Sequence, residues 1–588
     1  MTPQRRSVVI IGAGESGIAV GCLLKLKLGV TDFQIYDRQG GIGGAWYINK
    51  YPGVACDIPA LFYSYSFAPN YEWTSLFPPG REIQQYLASV CRKFDIVSNI
   101  QLNTEVCEAR WLPESLEWEV HVVKLATSAG GLSQTERQRH IKQHGSSSVY
   151  LDREVIRCKV LITCAGELVE PNSWPKDVAG LETFQGDVVH SARWPDTINV
   201  AGKDVVVVGM GCTAAQLVPA LINPRASSPR GSHAAPRHVT QLMRTAPWLM
   251  PRPPEPPWWF NRAMTALQSL PGLGLLFRFL LFLYAESTWL NVGMGWISKV
   301  LRHQFQNRLL THMRKTVPPK YQDMLRPDFG VGCRRIIIDC GWLESLAIQD
   351  RFELTTRPLL SVTSRGVVLG PLPTKGASLE DNASASVVTK PADIIILANG
   401  FDTSTYLHRI RIVNAAGKSL HDVWRENGGP GAYLSTAVSG FPNFFMVLGP
   451  CSVSGHSSAI LATENVAGYI INFVKLVLSG EARTVEVKVE AERQYTAEVQ
   501  RRSVDKIWQD CKGGYISKNG WNSSICPFNQ IHFGFMCRFP NWNHWDIDYT
   551  TFGRHRRQSY SSRSGVFWSL ITSLGLLIVS LSINRYII

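Results

Sequence analysis

Short, continuously apolar segments recur along the chain. Residues 8–11 and 205–208 are apolar throughout, which is typical of strands that are buried on both faces of a sheet. Both segments run into a glycine-rich turn and then into a helical spacing of apolar side chains, and a further strand is expected at 33–37. Two more buried strands are expected at 159–164 and 393–397. This order of strand, turn, helix and strand predicts an α/β fold with two Rossmann-like dinucleotide-binding domains.

A long apolar region in the middle of the chain interrupts this pattern. Residues 258–297 follow a proline-rich bend, are rich in aromatic side chains and are expected to be helical. The run 273–284 contains Arg278 and is too short for a membrane span. We interpret the region as a helical insertion, at about 253–330, that covers the functional site. A second membrane contact is the open alternative.

The C-terminal segment 566–583 is 18 residues long and contains no charge. A helix of about 20 residues spans the ~30 Å hydrocarbon core of a bilayer, so the segment is predicted to be a transmembrane helix. A basic linker, 551–565, precedes it, and only Arg585 follows, which places the main body on the cytosolic side. The prediction is a single-pass C-terminal anchor, with the endoplasmic reticulum as the expected membrane. A buried or surface-lying helix is the alternative.

Three polar segments interrupt the regular pattern, at 126–148, 226–238 and 375–390. They are rich in Ser, Gly, Arg and Lys, and no secondary structure is assigned to them. We interpret all three as surface insertions.

Composition narrows the class of protein. The chain has 588 residues, of which 45% are apolar and 18% charged, so it is expected to be globular with two or more domains. Its net charge of +14 is scattered, and no nucleic-acid-binding module is present, which excludes nucleic acid as the expected partner. The positive charge suits an anionic cofactor and an anionic membrane surface instead. The 13 cysteines include no C-x-x-C pair and are expected to be reduced.

The first glycine loop, residues 12–17, is predicted to bind a dinucleotide. Gly12 permits the tight turn, Gly14 allows the backbone to approach a pyrophosphate, and Gly17 allows close packing of helix on strand. Asp37 ends the following strand, where an acid that binds ribose is expected. An ordinary turn is the alternative, and the acid and the strand context weigh against it.

The second glycine loop contains Gly209, Gly211 and Thr213, with Ala214 where a third glycine is usual. No acid ends the next strand, and Arg244 follows that strand instead. A cation there favours a 2′-phosphate, so the second nucleotide is predicted to be NADPH rather than NADH. A solvated surface arginine is the alternative. Two loops about 200 residues apart imply one flavin site and one nicotinamide site.

The segment between the two loops carries a family resemblance. It matches the pattern F-x-G-x-x-x-H-x-x-x-W-P-D at each fixed position: Phe184, Gly186, His190, Trp194, Pro195 and Asp196. With the two loops, this segment resembles the flavin-dependent class B monooxygenases and, within them, the Baeyer–Villiger monooxygenases, including fungal members of secondary-metabolite pathways. The resemblance covers about residues 7–550. We interpret His190 as a packing and hinge residue between domains.

Further segments extend the resemblance. Gly44, Trp46, Asp57 and Tyr63 lie in segments similar to the part of the family sequence close to the flavin. By resemblance, Arg335 is the catalytic cation and Asp57 is the acid that pairs with it. A fixed cation suits a reaction with anionic intermediates.

Two more segments are similar to the family. Arg334 is expected, again by resemblance, to hold the 2′-phosphate together with Arg244. The segment 399–402 resembles the family's second linker, with Asn399 in place of the usual Thr.

The resemblance also implies a domain order. Residues 1–183 would form the first part of the FAD domain, 184–391 the NADPH domain with the helical insertion, and 392–550 the second part of the FAD domain. One departure concerns the loop expected to close over the nicotinamide. There, Gly514 stands at the position of the family's Trp, and the segment 526–529 is also altered.

The implied activity follows from the family. FAD reduced by NADPH activates O₂, and one oxygen atom is inserted beside a ketone carbonyl to give an ester or a lactone. A membrane anchor favours a bulky, apolar ketone, and secondary metabolism is the expected setting. Two alternatives remain: a flavin monooxygenase that hydroxylates nitrogen or sulfur, and a non-catalytic flavin-binding membrane scaffold.

Overall fold

The computed structural model describes residues 3–557 except 128, 224–234, 271, 373–385, 404–405, 409, 512–514 and 518. The strands are β1 Gln4–Ile11, β2 Phe33–Tyr36, β3 Ile100–Gln101, β4 Thr104–Leu112, β5 Glu117–Leu125, β6 Tyr150–Thr163, β7 Asp187–His190, β8 Asp204–Val208, β9 His238–Leu242, β10 Leu249–Pro251, β11 Ile337–Asp339, β12 Phe352–Thr355, β13 Leu359–Thr363, β14 Gly366–Leu369, β15 Val388–Pro391, β16 Ile394–Leu397, β17 Arg411–Val413, β18 Phe444–Met446, β19 Ala482–Val487 and β20 Trp545–Tyr549.

The α-helices of the described residues are α1 Glu15–Leu28, α2 Ala45–Ile48, α3 Gly80–Lys93, α4 Gln134–His144, α5 Cys212–Ile222, α6 Trp258–Gln268, α7 Leu273–Ser287, α8 Trp296–Thr316, α9 Pro319–Gln322, α10 Trp342–Ser345, α11 Leu420–Glu426, α12 Ala459–Leu478, α13 Val489–Val504 and α14 Gln530–Arg538. Helix α1 ends at Leu28 and is capped by Gly29, whose left-handed conformation lets its amide donate to the Lys25 carbonyl.

The first sheet has eight strands in the order β17-β4-β5-β6-β1-β2-β3, with β18 also paired to β6. Strand β6 is long enough to pair with three strands: its first part pairs antiparallel with β5, and its last part pairs parallel with β1 and β18. The fully buried residues of β1 account for its continuously apolar sequence, because helices α1 and α12 cover one face of the sheet. The first glycine loop lies at the carboxyl end of β1.

The second sheet has five parallel strands in the order β12-β9-β8-β16-β7. Helix α5 packs against β11 and α10, and its apolar side chains share a core with β8, β9 and β16. Parallel strands require crossover connections, which in this sheet contain helices. The second glycine loop lies where the chain leaves the carboxyl end of β8 and enters α5. The structure therefore has the α/β architecture with two Rossmann-like sheets that the sequence predicted.

The pairing of the strands contradicts the position of one predicted domain boundary. The third segment was predicted to begin at residue 392, but β16 pairs with β7 and β8 in the second sheet. The chain returns to the first sheet only after residue 397, with β17 and β18. The apolar sequence of β16 predicted a buried strand correctly, but it could not specify which sheet would contain that strand.

The segment 126–148 is not the unstructured insertion that the sequence analysis expected. It contains α4, whose first turn is closed by a capping box in which the Ser133 side chain bonds the Glu136 amide and the Glu136 carboxylate bonds the Ser133 amide. A buried Arg137 on this helix pairs with Glu105 of β4 at 2.8 Å. Polar composition hid the helix because it has little apolar periodicity.

Within the part of the chain that is described, two stretches are long and apolar enough to cross a membrane, Leu273–Asn291 and Ala459–Leu478. The second is mostly buried and packs on α1 and α14, which identifies it as a core helix. The first belongs to the predicted helical insertion, which consists of α6 to α9. The predicted transmembrane helix, 566–583, and the linker from residue 558 onward lie outside the described residues.

Candidate active site

The first glycine loop is held by close backbone contacts that leave no room for side chains. Gly12 has a φ of +106°, and a Cβ there would lie 2.7 Å from the Cys164 carbonyl oxygen at the end of β6. A Cβ on Gly17 would overlap the Gly12 carbonyl oxygen. A Cβ on Gly44 would lie 2.7 Å from the Gly14 Cα, so these two glycines bring two backbone segments together. Gly12, Gly17 and Gly44 are therefore required by the packing, whereas a Cβ on Gly14 would lie at an ordinary distance of 3.4 Å from the Gly44 Cα.

The N-terminus of α1 opens onto this loop. Its N-cap residue, Gly14, makes no side-chain capping bond, so the first amides of the helix are available to a ligand. Backbone amides at a helix N-terminus, together with the helix dipole, form a site for a phosphate group. The loop thus fits the pyrophosphate of a dinucleotide such as FAD.

Asp37 follows β2 directly and is buried at the mouth of the loop. Its Oδ2 accepts a hydrogen bond of 2.7 Å from the Ala13 amide, and its Oδ1 accepts one of 2.7 Å from the Gln39 amide. Burial raises the pKa of this carboxyl. The observed role of Asp37 is to fix the glycine loop on the second strand. Its role in binding ribose stays a prediction.

Three side chains form a hydrogen-bonded chain beside the loop. The Tyr63 hydroxyl donates to Glu15 Oε2 at 2.7 Å, and Trp46 Nε1 donates to the Tyr63 oxygen at 3.2 Å. Burial raises the pKa of Glu15. Trp46 and Tyr63 were expected from the sequence, whereas Glu15 was not. The position of Glu15 inside a phosphate-binding loop could have indicated it, because an acid there needs a hydrogen-bond donor to hold it in place.

The second glycine loop resembles the first in its tight turn and differs in its open space. Gly209 has a φ of +124° and is packed against the Ala398 carbonyl, so it also leaves no room for a side chain. A Cβ on Gly211, the N-cap of α5, would meet no atom within 4 Å. Thr213, half-buried, follows in the first turn of α5. A side chain at Gly211 would therefore have room in the protein alone, and close approach of a ligand to this glycine stays a prediction.

The two predicted phosphate-binding arginines lie on different elements. Arg244 is exposed two residues after β9, and the last residue of that strand, Leu242, accepts a hydrogen bond of 3.0 Å from the Gly209 amide. Arg244 is therefore at the loop edge of the second sheet, as predicted. Arg334 lies with its guanidinium carbon 5.0 Å from the centre of the Phe329 ring. A shared contact with a 2′-phosphate stays a prediction.

Arg335 and Asp57, 278 residues apart, form a bidentate ion pair. Arg335 Nε donates to Asp57 Oδ2 at 2.9 Å, and Nη2 donates to Oδ1 at 2.6 Å. The side chain of Arg335 is 45% exposed and that of Asp57 is 24% exposed, so both remain accessible to a ligand. The Asp57 carboxylate raises the pKa of Arg335, which therefore stays charged. The structure brings together the pair that the resemblance implied, and its catalytic role stays a prediction.

Tyr515 is a further residue of this site, which the sequence analysis did not assign. Burial raises the pKa of its hydroxyl, while the nearby charge of Arg335 lowers it. Its ring packs edge-on against Trp508. Tyr515 belongs to the altered loop, so the departure from the family pattern hid a residue that is within electrostatic reach of the arginine.

A disulfide fixes this loop to the arginine segment. Cys511 is bonded to Cys333, which comes two residues before Arg335, and their Cα atoms are 5.9 Å apart. The expectation of reduced cysteines is therefore wrong for this pair. Reasoning from spacing missed it because 178 residues separate the two cysteines.

His190 joins the two linkers between the domains. The Ala192 amide donates to its Nδ1 at 3.1 Å, so the proton lies on Nε2, which faces Asn399 Oδ1 at 3.0 Å and the Gly400 carbonyl at 3.1 Å. Burial lowers the pKa of His190, which keeps the ring neutral. Its contacts are those of a connector and fit the packing role expected from the sequence.

Two sheets with a glycine loop at the carboxyl end of one strand each, and a bidentate arginine–aspartate pair, define a class of protein: an oxidoreductase fold with two dinucleotide sites. A family model described as an NAD(P)-binding Rossmann-like domain matches residues 10–77.

Curated relatives match most of the chain. An uncharacterized monooxygenase from Mycobacterium bovis, Mb0916, is 30% identical over 88% of this chain and 92% of its own. The FAD-binding monooxygenase ktnD of Aspergillus niger is 29% identical over 90% of this chain and 80% of its own. A Baeyer-Villiger monooxygenase of Streptomyces coelicolor is 28% identical over 90% of this chain and 89% of its own.

Solved structures share the fold. An oxidized steroid monooxygenase bound to NADP and a closed cyclohexanone monooxygenase each superpose with a TM-score of 0.71 at 22% identity, over 93% of this chain and all of theirs. The chain belongs to the family of flavin-dependent Baeyer–Villiger monooxygenases.

Proposed function

We propose that this protein is an FAD- and NADPH-dependent Baeyer–Villiger monooxygenase, which inserts one oxygen atom of O₂ beside a ketone carbonyl to give an ester or a lactone. The observation that carries the proposal is the bidentate pair of Arg335 and Asp57 in a chain with two dinucleotide loops. Membership of the family supports it. When bound, FAD reduced by NADPH supplies the activation of O₂, and the protein supplies orientation and charge.

The residues of the two loops are assigned to the two cofactors. We assign Gly12, Gly14, Gly17 and Gly44 to the FAD pyrophosphate, because their packing lets the backbone approach a ligand closely. Asp37 is assigned to the ribose, and Trp46 and Tyr63 are assigned to the flavin end of the cofactor. On the second sheet, Gly209, Gly211 and Thr213 are assigned to the NADPH pyrophosphate, with Arg244 and Arg334 at the 2′-phosphate. A related fold is known with NADP bound, and another with FAD and NADP.

Arg335 supplies a fixed positive charge where the reaction develops a negative one. A guanidinium at about 4 Å from an anion is worth about 4 kcal/mol at an effective dielectric constant near 20. Asp57 holds the guanidinium plane through Nε and Nη2, so the Nη1 edge remains for the anion. Orientation by a carboxylate avoids reorganisation of the arginine during the reaction.

Replacement of the arginine tests this assignment. Arg335→Ala is expected to keep bound flavin and NADPH oxidation and to lose ester formation, because charge stabilisation is removed and the cofactor sites are not. Arg335→Lys keeps the charge but not the two parallel bonds, so it should retain part of the yield. Ester yield per NADPH is measured by product mass. Full ester yield from Arg335→Ala would refute the proposal.

Product mass and flavin absorbance together distinguish the two alternative functions. A product with oxygen on nitrogen or sulfur would indicate a heteroatom hydroxylase. A protein whose flavin is not bleached by NADPH would be a scaffold. The altered loop around Gly514, which lies outside the described residues, is the feature that motivates the scaffold alternative.

We also propose that segment 566–583 anchors the protein in the endoplasmic reticulum membrane, with the catalytic body in the cytosol. The uncharged length of the segment and the arginines before it support this. The full chain should then resist extraction by alkaline carbonate, whereas a chain that ends at residue 563 should be extracted. Complete extraction of the full chain would contradict the anchor.

An anchored enzyme suits a bulky, apolar ketone that partitions into a membrane, and a secondary-metabolite pathway, polyketide or terpenoid, is the proposed setting. Similarity to an Aspergillus monooxygenase supports this setting. A panel of polycyclic and small ketones tests it, and the polycyclic ones should give the higher kcat/KM.

A further inference from the structure

The helical insertion has an outer surface that is apolar. We call it the insertion face: the outward side of α6, α7 and the first turn of α8, represented by Trp258, Leu275, Leu276, Phe279, Leu283 and Trp296. Trp258 and Trp296 are 76% and 75% exposed. Soluble proteins rarely expose contiguous apolar surface of this extent unless something covers it.

Charge on α7 is arranged in the opposite way to that of a soluble surface helix. Arg278 and Glu286 are the charged residues of this helix, and both are buried. Arg278 donates to Glu464 Oε2 at 3.2 Å, and Glu286 Oε1 lies 2.8 Å from His456 Nε2. The inner side of α7 is therefore fixed to the protein body by polar contacts, while its outer side is apolar. A helix held in this way cannot cross a bilayer, but it can lie on one.

The contrast with the core helix α12 is direct. Ala459–Leu478 has a mean hydropathy of 1.3 and is 61% buried, whereas Leu273–Asn291 has a mean hydropathy of 1.4 and is 17% buried. The two stretches have nearly equal hydropathy and very different burial. The protein therefore covers Ala459–Leu478 but leaves Leu273–Asn291 largely uncovered. The described residues leave the insertion face open.

Cations are frequent on the helices of the insertion that carries this face. Residues 256–322 contain eight Lys and Arg and one acidic residue, the buried Glu286. Six of the eight are exposed: Arg262, Lys299, Arg308, Arg314, Lys315 and Lys320. Lysine and arginine beside an apolar surface are attracted to anionic headgroups, and indole rings favour the interface between headgroups and acyl chains. Two copies of this surface brought face to face would instead repel each other.

We propose that the insertion face docks on the surface of an anionic lipid bilayer, with α7 lying in the interface. This contact is separate from the C-terminal segment. It also reaches the site: Trp289, just after α7, packs on His456 and Trp508, and Val292 shares an apolar cluster with Cys333. A docked insertion places the arginine segment close to the membrane, which on the proposed function is the side from which an apolar ketone arrives.

A matched pair of fluorescent probes on the full chain tests the docking. Leu275→Cys and Leu151→Cys each carry the dye NBD, and both leucines are 56% exposed, one on the insertion face and one on β6. Vesicles of phosphatidylcholine, with and without phosphatidylserine, are added. The probe at 275 should shift to the blue and brighten roughly twofold with phosphatidylserine, and the probe at 151 should not change. Labelled wild-type protein gives the background, and flavin absorbance checks folding.

Charge reversal gives a second readout. Lys299→Glu with Arg308→Glu should weaken the response of the 275 probe to phosphatidylserine vesicles by about tenfold or more. Arg139→Glu with Lys142→Glu, an exposed pair on α4, should leave it unchanged.

Three results would overturn the proposal. A 275 probe that stays in water while the protein floats with the vesicles would mean that the tail alone binds. A change that depends on protein concentration without lipid would mean that a second copy or another protein surface covers the face. An apolar signal in buffer would mean that the chain's own C-terminal segment covers it. None of these results bears on ester formation, so they leave the proposed reaction untouched. If Leu275→Cys fails to fold, Leu280→Cys, 50% exposed, replaces it.

Discussion

Glu492 is a buried carboxyl on α13 whose ionisation opposes folding. Its Oε2 accepts a hydrogen bond of 2.6 Å from the Ser439 amide, and burial raises its pKa to about 7. An unfolded glutamate releases its proton near pH 4.5, so between about pH 4.5 and pH 7 the native state holds a proton that the unfolded state has lost. Stability from this group is therefore complete below pH 4.5 and is lost as the pH rises to 7.

Glu492→Gln should raise the stability of the protein at pH 8 and have little effect at pH 5, because the amide can accept the same bond without a charge. The expected gain at pH 8 is on the order of 1–3 kcal/mol. Thermal unfolding at both pH values measures it. Glu490→Gln, an exposed position on the same helix, is the control. Equal shifts at the two pH values would contradict the assigned pKa.

The pair of Arg335 and Asp57 has a different character. Because Arg335 is nearly half exposed, the pair is expected to contribute less than about 1 kcal/mol to stability. Its bidentate geometry instead fixes the direction of one charge. A loss of ester formation in Arg335→Ala without a change in Tm is therefore the pattern that separates a positioned cation from a structural one.

At the scale of elements, the two glycine loops should respond differently to one added methyl group. Gly17→Ala would force a Cβ into the Gly12 carbonyl, so α1 must move away from β1 and flavin should be lost. Gly211→Ala adds a Cβ that meets no protein atom, so the protein should remain yellow and bind NADPH more weakly, by about tenfold or more. Flavin absorbance and NADPH titration measure the two effects. Tight NADPH binding by Gly211→Ala would contradict a ligand in that space.

The disulfide between Cys333 and Cys511 predicts how many reactive thiols the protein contains. The chain has 13 cysteines, and 11 of them are free in the structure. Protein denatured without reductant should therefore show 11 reactive thiols, and protein that is first reduced should show 13. Cys511→Ser should show 12 in both conditions, which excludes a second pairing. A count of 13 before reduction would mean that the pair is reduced in the purified protein.

Local patterns predicted the elements that local physics determines. The apolar strands predicted at 8–11, 33–37, 159–164, 205–208 and 393–397 were found, with the two glycine turns and Asp37 after β2, because neighbours in sequence fix them; the buried apolar strand β18 was not predicted. Helix α4 was missed because a capping box was its main signal, and α4 has few apolar positions to support it.

Contacts between residues that are far apart in the chain could not be predicted from local sequence patterns. Tyr515 beside Arg335, and the pairing of Cys333 with Cys511, depend on how the chain returns to the site. Resemblance to a family did identify Asp57 as the partner of Arg335, but residue types alone could not. The sheet that receives β16 was likewise decided by the fold.

At the scale of the whole molecule, polar contacts join the helix after the second glycine loop to the segment that follows α2. The Gln216 amide on α5 accepts a bond of 2.9 Å from the Tyr51 hydroxyl and donates one of 3.0 Å to the Ala55 carbonyl. His190 connects the 184–196 segment with Asn399. The Gln216 contacts join α5, which follows the second glycine loop, to residues 51–55, whereas the His190 contact lies at the carboxyl edge of the second sheet, between β7 and β16.

Glu286 is one of the two buried charged residues of α7, with Arg278, that fix the helical insertion to the rest of the molecule. One carboxylate oxygen lies 2.8 Å from His456 Nε2, and the other accepts the Gln530 amide at 2.9 Å, at the start of α14. Glu286→Ala leaves His456 and that amide without their acceptor, which should cost about 3 kcal/mol or more. Glu286→Gln keeps an acceptor and should cost less.

The loss should be local before it is global, because the insertion has few other polar contacts of this kind with α14. Hydrogen exchange in α7 of Glu286→Ala should accelerate before exchange in the strands of the first sheet does. Leu275→Ala, an outward substitution on the same helix, should leave exchange in α7 close to that of the wild type. Uniform acceleration in every element would show that the insertion and the body unfold as one unit. Unchanged exchange in α7 would show that its apolar inner side suffices to hold it.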